Sequence, residues 1–245
     1  MDLTVRAYPK INIGLYVGKK REDGFHPIVS IFQKVYDFYD EIIIGLEFSE
    51  KKDIEVSGLE GLVAADGNTL YRAAVNFLDL SGIAAKAKIH MSHHGIPLRS
   101  GLGGPSSDAA SVILAMNRLC NNAVGRDTLF EVACKTGSDV PFFVSGYEAS
   151  LVRGRGEILN RIESRRDVGF SLIPSGYVKK GTGEAYAILD SRSRIPVLPD
   201  GDELVSMYNS DVEKWNFRND FELIYPALPE SFHLSGAGTW GFELT

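Results

Sequence analysis

The sequence predicts an α+β protein, and three observations carry that. Strand-like alternation and helix-like spacing both occur, but in irregular order rather than as repeated βα units, which speaks against a doubly wound parallel sheet. The length, 245 residues, with 44% hydrophobic and 24% charged residues, suits one large domain or two modest ones around a real core. Every apolar run falls far short of the ~20 residues that cross a bilayer, so no membrane partner is expected.

The elements follow in chain order. Ile11, Ile13, Leu15 and Val17 alternate with Asn12, Gly14 and Tyr16, the pattern of a half-buried strand that places Lys10, Asn12 and Gly14 on its other face. Lys20 to Gly24 reads as a hairpin turn, with Asp23-Gly24 as its strongest signal. Strands are expected at Val29–Val35 and Glu41–Phe48, and a helix over Asn68–Leu80, where Leu70, Ala73, Ala74, Phe77 and Leu78 share one face. Strand Ala87–Met91 precedes a glycine-rich loop. Two helices follow that loop, the second at Arg126–Thr136, and then Pro141–Val144 and Tyr147–Val152 read as a strand pair. The later part is sparser: a strand through Val168, Phe170 and Leu172, short helices at Gly183–Leu189 and Glu203–Tyr208, and a polar loop at Asp190–Pro199. A domain boundary is placed near Gly154–Glu157.

Charge and composition exclude some classes of partner. The net charge is −6 and no basic stripe is visible, which argues against nucleic acid but not against a small phosphorylated ligand. Met1-Asp2-Leu3 opens on an acid rather than a basic region, so no secretory signal is expected. Cys120 and Cys134 both sit in helical segments and read as free thiols. The expected location is the cytoplasm.

The most informative stretch is Pro97-Leu98-Arg99-Ser100-Gly101-Leu102-Gly103-Gly104-Pro105-Ser106-Ser107-Asp108. Three glycines in four residues serve the backbone, letting a ligand approach its N–H groups. Ser106, Ser107 and Asp108 are helix-starting residues, and Ala109, Val112, Ile113, Met116 and Leu119 then recur at helical spacing. A glycine loop feeding a helix N-terminus favours an anion, by default a phosphate. No Gly-Lys-Ser/Thr follows, so it is not a Walker loop, and Pro97 interrupts the run that a dinucleotide fingerprint requires. The plainer alternative is a glycine turn that only starts a helix.

Phosphoryl transfer needs a phosphate cradle, a cation near the developing charge and a group that orients the attacking hydroxyl. Lys10, ahead of a branched strand, and Asp139, about to enter an apolar strand, would supply the second and third parts. Taken singly, they read as a surface lysine and a turn residue.

Ala7-Tyr8-Pro9-Lys10-Ile11-Asn12, the loop from Pro97 to Ala110 and Leu234-Ser235-Gly236-Ala237-Gly238-Thr239 resemble the three ordered motifs of the GHMP small-molecule kinases. Four further segments resemble the branch of that superfamily that acts on cytidine diphosphate methylerythritol, on the methylerythritol phosphate route to isoprenoids. They are Arg21 to His26, Gly137 to Phe143, Val152 to Glu157 and Asn219 to Glu222.

The resemblance implies a two-domain GHMP-kinase fold with its site in the cleft between an ATP-binding domain, 1–153, and a reduced C-terminal domain, 154–245. It implies ATP and Mg2+, transfer to the 2-hydroxyl of that cytidine substrate, and Lys10 and Asp139 as the catalytic pair. Asn12 would orient the substrate. Phe25 and Tyr186 would stack on the cytosine while His26 reads its edge. Pro97, Gly101, Leu102, Gly103, Gly104, Ser106 and Ser107 would form the phosphate loop, with Asn68 near the adenine. A homodimer stays open, as do the metal ligands. Another GHMP kinase acting on a different alcohol, or a nucleotide-binding relative without catalysis, is the alternative.

The chain departs from the pattern at Pro105, where a small residue is usual, and at His94, where lysine is frequent. Only Leu223 to Phe232 separate the Asn219 segment from the last glycine motif, too short for the helix expected there.

Overall fold

The computed structural model describes residues 2–59, 67–178, 181–192, 196–225 and 228–245. The chain divides into two compact units that interleave in sequence: Met1–Tyr8, Phe38–Ile96 and Gly104–Gly146 form the first, and Pro9–Asp37, Pro97–Gly103 and Tyr147–Thr245 the second. The position expected to end the first domain, 153, lies within a strand of the second unit.

In the first unit, strands β1 (Asp2–Ala7), β4 (Asp40–Phe48), β5 (Asp53–Ser57) and β6 (Ala85–His94) form a sheet in the order β1-β4-β6-β5, antiparallel except for β5 against β6. Along β6, Ala85, Ala87, Ile89 and Met91 are buried and the residues between them exposed, so one face is wet and the other covered. Helix α2 (Gly104–Leu119) packs on β1 and β4, with α1 (Thr69–Ser81), α3 (Arg126–Thr136) and α4 (Val140–Ser145) around it. Its burial extends well beyond one stripe, from Ala109 through Val112 and Met116 to Asn117, as befits the central helix.

The segment expected to begin a strand pair, Pro141–Val144, is instead helix α4. A short apolar run does not distinguish strand from buried helix by periodicity. Pro141, with its φ preset, suits a helical first turn, and Gly146 at φ +73° closes the last one by donating its N–H to Phe143 O.

The second unit holds the antiparallel sheet β2-β3-β7-β8, from β2 (Lys10–Val17), β3 (Ile28–Lys34), β7 (Ala149–Gly154) and β8 (Ile158–Ile162). A smaller sheet pairs β9 (Phe170–Pro174) and β10 (His233–Leu234) with β11 (Trp240–Leu244). Helices α5 (Thr182–Ser191) and α6 (Gly201–Tyr208) complete it. The turn between β2 and β3 forms as expected, with Gly24 at φ +84° donating to Arg21 O. Strand β2 is not half-buried: all eight residues are inside. Gly14, at φ +72°, marks a bulge in its pairing with β3. The expected loop from Asp190 begins inside α5, and its residues 193–195 lie outside the described residues.

Mostly antiparallel sheets with segregated helices make the fold α+β. Cys120, buried, and Cys134, half-buried, form no disulfide among the described residues. No helix among the described residues is long and apolar enough to cross a membrane.

Candidate active site

The three glycine and lysine motifs, far apart in sequence, converge within the second unit. Lys10, only 2% exposed, donates its backbone N–H to Leu102 O at 2.9 Å. Its Nζ donates to Asn12 Oδ1 at 2.6 Å and to Gly101 O at 2.9 Å, and lies 4.8 Å from the Phe32 ring centroid. A buried ammonium needs such partners, because desolvation otherwise expels it. Asn12 Oδ1 also accepts the Gly236 N–H at 2.9 Å, while its Nδ2 donates to Ser30 Oγ at 2.9 Å. One carboxamide thus joins the lysine strand to the last glycine motif.

The two glycine segments interlock backbone against backbone. A Cβ on Gly101, at φ +86°, would lie 2.2 Å from Ser235 O, and one on Gly238 would lie 1.7 Å from Ser100 O. Only glycine allows that approach. Trp240 N–H donates to Ser100 O at 3.0 Å. Asn219 Nδ2 donates to Leu234 O and Gly236 O, at 2.9 and 2.8 Å. The Asn219 segment, one of those that carry the family resemblance, thus braces the last glycine motif. Arg99, also at positive φ, keeps the loop in a conformation that side chains rarely adopt.

Phe25, His26 and Tyr186 belong to the same unit. His26 is buried and stacks on Tyr186, with ring centroids 4.8 Å apart and 19° between planes. Tyr186 meets Phe221 edge-on at 4.9 Å. Phe25 is 48% exposed, and the Arg155 guanidinium lies 4.6 Å from its ring centroid. His26 Nε2 is 2.8 Å from Asp190 Oδ1. Asp190 is not among the candidates that the sequence offers and is expected in a loop, whereas it lies near the end of α5. The signal was there: Tyr186 and Asp190 are four apart, the spacing that aligns two side chains on one helix face.

Most of the remaining candidates lie in the first unit. Asn68 caps α1, its Oδ1 accepting from Leu70 N–H at 3.0 Å and Tyr71 N–H at 3.4 Å. Gly104 opens α2, Pro105 takes its second position, Ser106 is half-buried, and Ser107 is buried with its hydroxyl donating to Tyr8 O at 2.7 Å. Asp139 occupies the N-cap position of α4 rather than the head of a strand. Pro97 and Gly103 flank the interlocked loop in the second unit.

The fold and this convergence of motifs define the class: a GHMP kinase. The model for the GHMP kinases N terminal domain matches residues 68–147. The chain is 32% identical over 240 residues to a 4-diphosphocytidyl-2-C-methyl-D-erythritol kinase of Prochlorococcus marinus (strain MIT 9215), covering 91% of this chain and 74% of that one. It is 36% identical over 163 residues to the enzyme of that name from Prosthecochloris aestuarii, covering 66% of this chain but only 55% of the relative's length. A crystal structure of 4-(cytidine 5'-diphospho)-2C-methyl-D-erythritol kinase superposes with a TM-score of 0.74 at 26% identity, over 99% of this chain and 90% of the other. The chain belongs to the 4-diphosphocytidyl-2-C-methyl-D-erythritol kinase family.

Proposed function

We propose that the protein transfers the γ-phosphoryl group of ATP to the 2-hydroxyl of 4-diphosphocytidyl-2-C-methyl-D-erythritol, a step of isoprenoid biosynthesis. The observation that carries this is the Lys10–Asn12–Gly101–Gly236 network, which holds a cation against the glycine loop. A Mg2+ ion carried on the phosphates of ATP would supply further charge neutralisation there.

In a loose transition state, negative charge spreads over the transferring group and the bridging oxygens. Lys10 opposes that charge, and Asp139 orients the attacking hydroxyl and takes its proton late. The backbone N–H groups of Gly101 to Gly104, with the Ser106 and Ser107 turn, cradle the phosphates. The Asn68 oxygen serves its cap, so any contact with adenine falls to its amide nitrogen. Asn12 orients the substrate. The cytosine stacks on Phe25 and Tyr186. In the tautomer whose Nε2–H donates to Asp190 Oδ1, the His26 ring offers Nδ1 as an acceptor, which suits the amine of cytosine and not the carbonyl of uracil. The ATP-binding residues all fall within 1–153, and that functional division of the chain is part of the proposal, as are a cytoplasmic location and a homodimer.

The test is ADP release from ATP with the cytidine substrate, homoserine or mevalonate as acceptor. The cytidine compound alone should support turnover. Asp139→Asn and Lys10→Met should each lower kcat by about a hundred- to ten-thousand-fold while ATP still binds. Near-normal kcat in either variant removes that residue from the chemistry, and equal use of homoserine or mevalonate overturns the substrate assignment.

A further inference from the structure

A buried pair of acids in the first unit stands outside the reaction described. Asp40 opens β4, opposite His94 at the end of β6, and is 1% exposed. Its Oδ1 accepts the N–H groups of Gly95 at 2.7 Å and Ile96 at 2.9 Å, with His94 Nδ1 at 3.7 Å. Asp108, at the start of the second turn of α2 and 6% exposed, has its carboxyl within hydrogen-bond reach of Asp40. Its own Oδ1 is buried with no hydrogen-bond partner.

That orphaned oxygen decides the protonation state. Two carboxylates in contact cannot both ionise cheaply. An ionised Asp108 would also bury a charge with no donor for its Oδ1, whereas a neutral one has an O–H to donate to Asp40. Burial, followed by the charge of Asp40, holds Asp108 well above the usual carboxylate range. The same corner is tight: a Cβ on Gly104 would lie 2.9 Å from Ile96 Cγ2, so the first residue of α2 rests on the residue whose N–H Asp40 holds. Ile96 and Gly104 are the two flanks of residues 97–103.

We propose that Asp108 is a positioning residue for the nucleotide loop: it keeps its proton, donates it to Asp40, and fastens the end of β6 to the start of α2 on either side of residues 97–103. This rests on the reading of that loop as the ATP phosphate cradle. It touches no substrate. It sets the spacing from which the loop's N–H groups are presented.

Two measurements on the full chain test it. Infrared spectra of protein carrying 13C-labelled aspartate should show a protonated carboxyl band that persists at pH 8 and is absent from Asp108→Asn. Calorimetric binding of a non-hydrolysable ATP analogue should be within about twofold of normal in Asp108→Asn, whose amide still donates. It should weaken about tenfold or more in Asp108→Leu, which fills the space without a donor, while the cytidine substrate binds within about twofold in both. Absence of the band at pH 8, or normal analogue binding by Asp108→Leu, overturns the proposal. If Asp108→Leu does not fold, the band in the wild type and its loss in Asp108→Asn decide. A band in the wild type without any analogue binding would overturn the nucleotide reading, and the positioning role with it, while leaving the shared proton established.

Discussion

The glycine crossing and the base pocket sit in one unit but are built in opposite ways. At the crossing, Lys10 and Asn12 are each 2% exposed and the partners are carbonyls and N–H groups of two interlocked loops. In the pocket, Phe25 is 48% exposed, and the contacts are ring on ring or side chain on side chain. Backbone contacts at van der Waals limits leave no slack, which suits a step in which charge must be met at a set position. Stacked rings and a half-exposed carboxylate tolerate replacement at a cost in affinity, which suits recognition of a base. Substitutions in the first region should therefore remove turnover, and those in the second should change only substrate affinity and discrimination.

The largest effect should come from Gly238→Ala. Its Cβ would sit 1.7 Å from Ser100 O, a backbone atom that cannot step aside. We expect turnover at background and a loss of about 3 kcal/mol or more, a fall in Tm of roughly 6–12 °C for a chain of this size. Kinetics and thermal unfolding together check it, and a variant with ordinary turnover and Tm would break the contrast.

Tyr186→Ala comes next. Loss of one stacking face should cost about 1–3 kcal/mol, so KM for the cytidine substrate should rise about ten- to a hundredfold. KM for ATP should stay within about twofold. An equal rise in both would mean that the pocket and the crossing are not separable.

Asp190→Ala should act more weakly. It frees the His26 ring from its partner at 2.8 Å, and preference for the cytidine over the uridine substrate should fall about three- to tenfold, the worth of one hydrogen bond. Unchanged preference in competition assays would sharpen the contrast differently, leaving discrimination to the stacked rings.

The smallest effect concerns Asp108 and stability. Its folded value lies above the unfolded one of 3.8, so the unfolded chain gives up this proton first as pH rises. The stability tied to that proton is full below the unfolded value and is lost as pH climbs through the folded value. Asp108→Asn cannot ionise. Its stability relative to the wild type should be flat at the acid end and rise with pH above about 4, as urea unfolding across pH would show. A constant difference across the range contradicts a proton held on Asp108.

What the sequence determined by itself is local or periodic. The helix over residues 69–81, the helix after the glycine loop, the Asp23-Gly24 turn and the strands β2, β3 and β4 were legible because spacing and turn chemistry act within a few residues. The motif residues were legible for the same reason, including the glycines whose approach no other residue allows. Tertiary structure decided the rest. It buried Lys10, expected on a strand face, by laying a loop 91 residues away against its ammonium. It turned Val140–Ser145 into a helix, because an apolar run takes its form from what covers it. It joined His26 to Asp190 across 164 residues and set Asp108 beside Asp40. Each of these depends on which distant groups share a dry site. Burial and pairing energies belong to that site, and no window of sequence contains it.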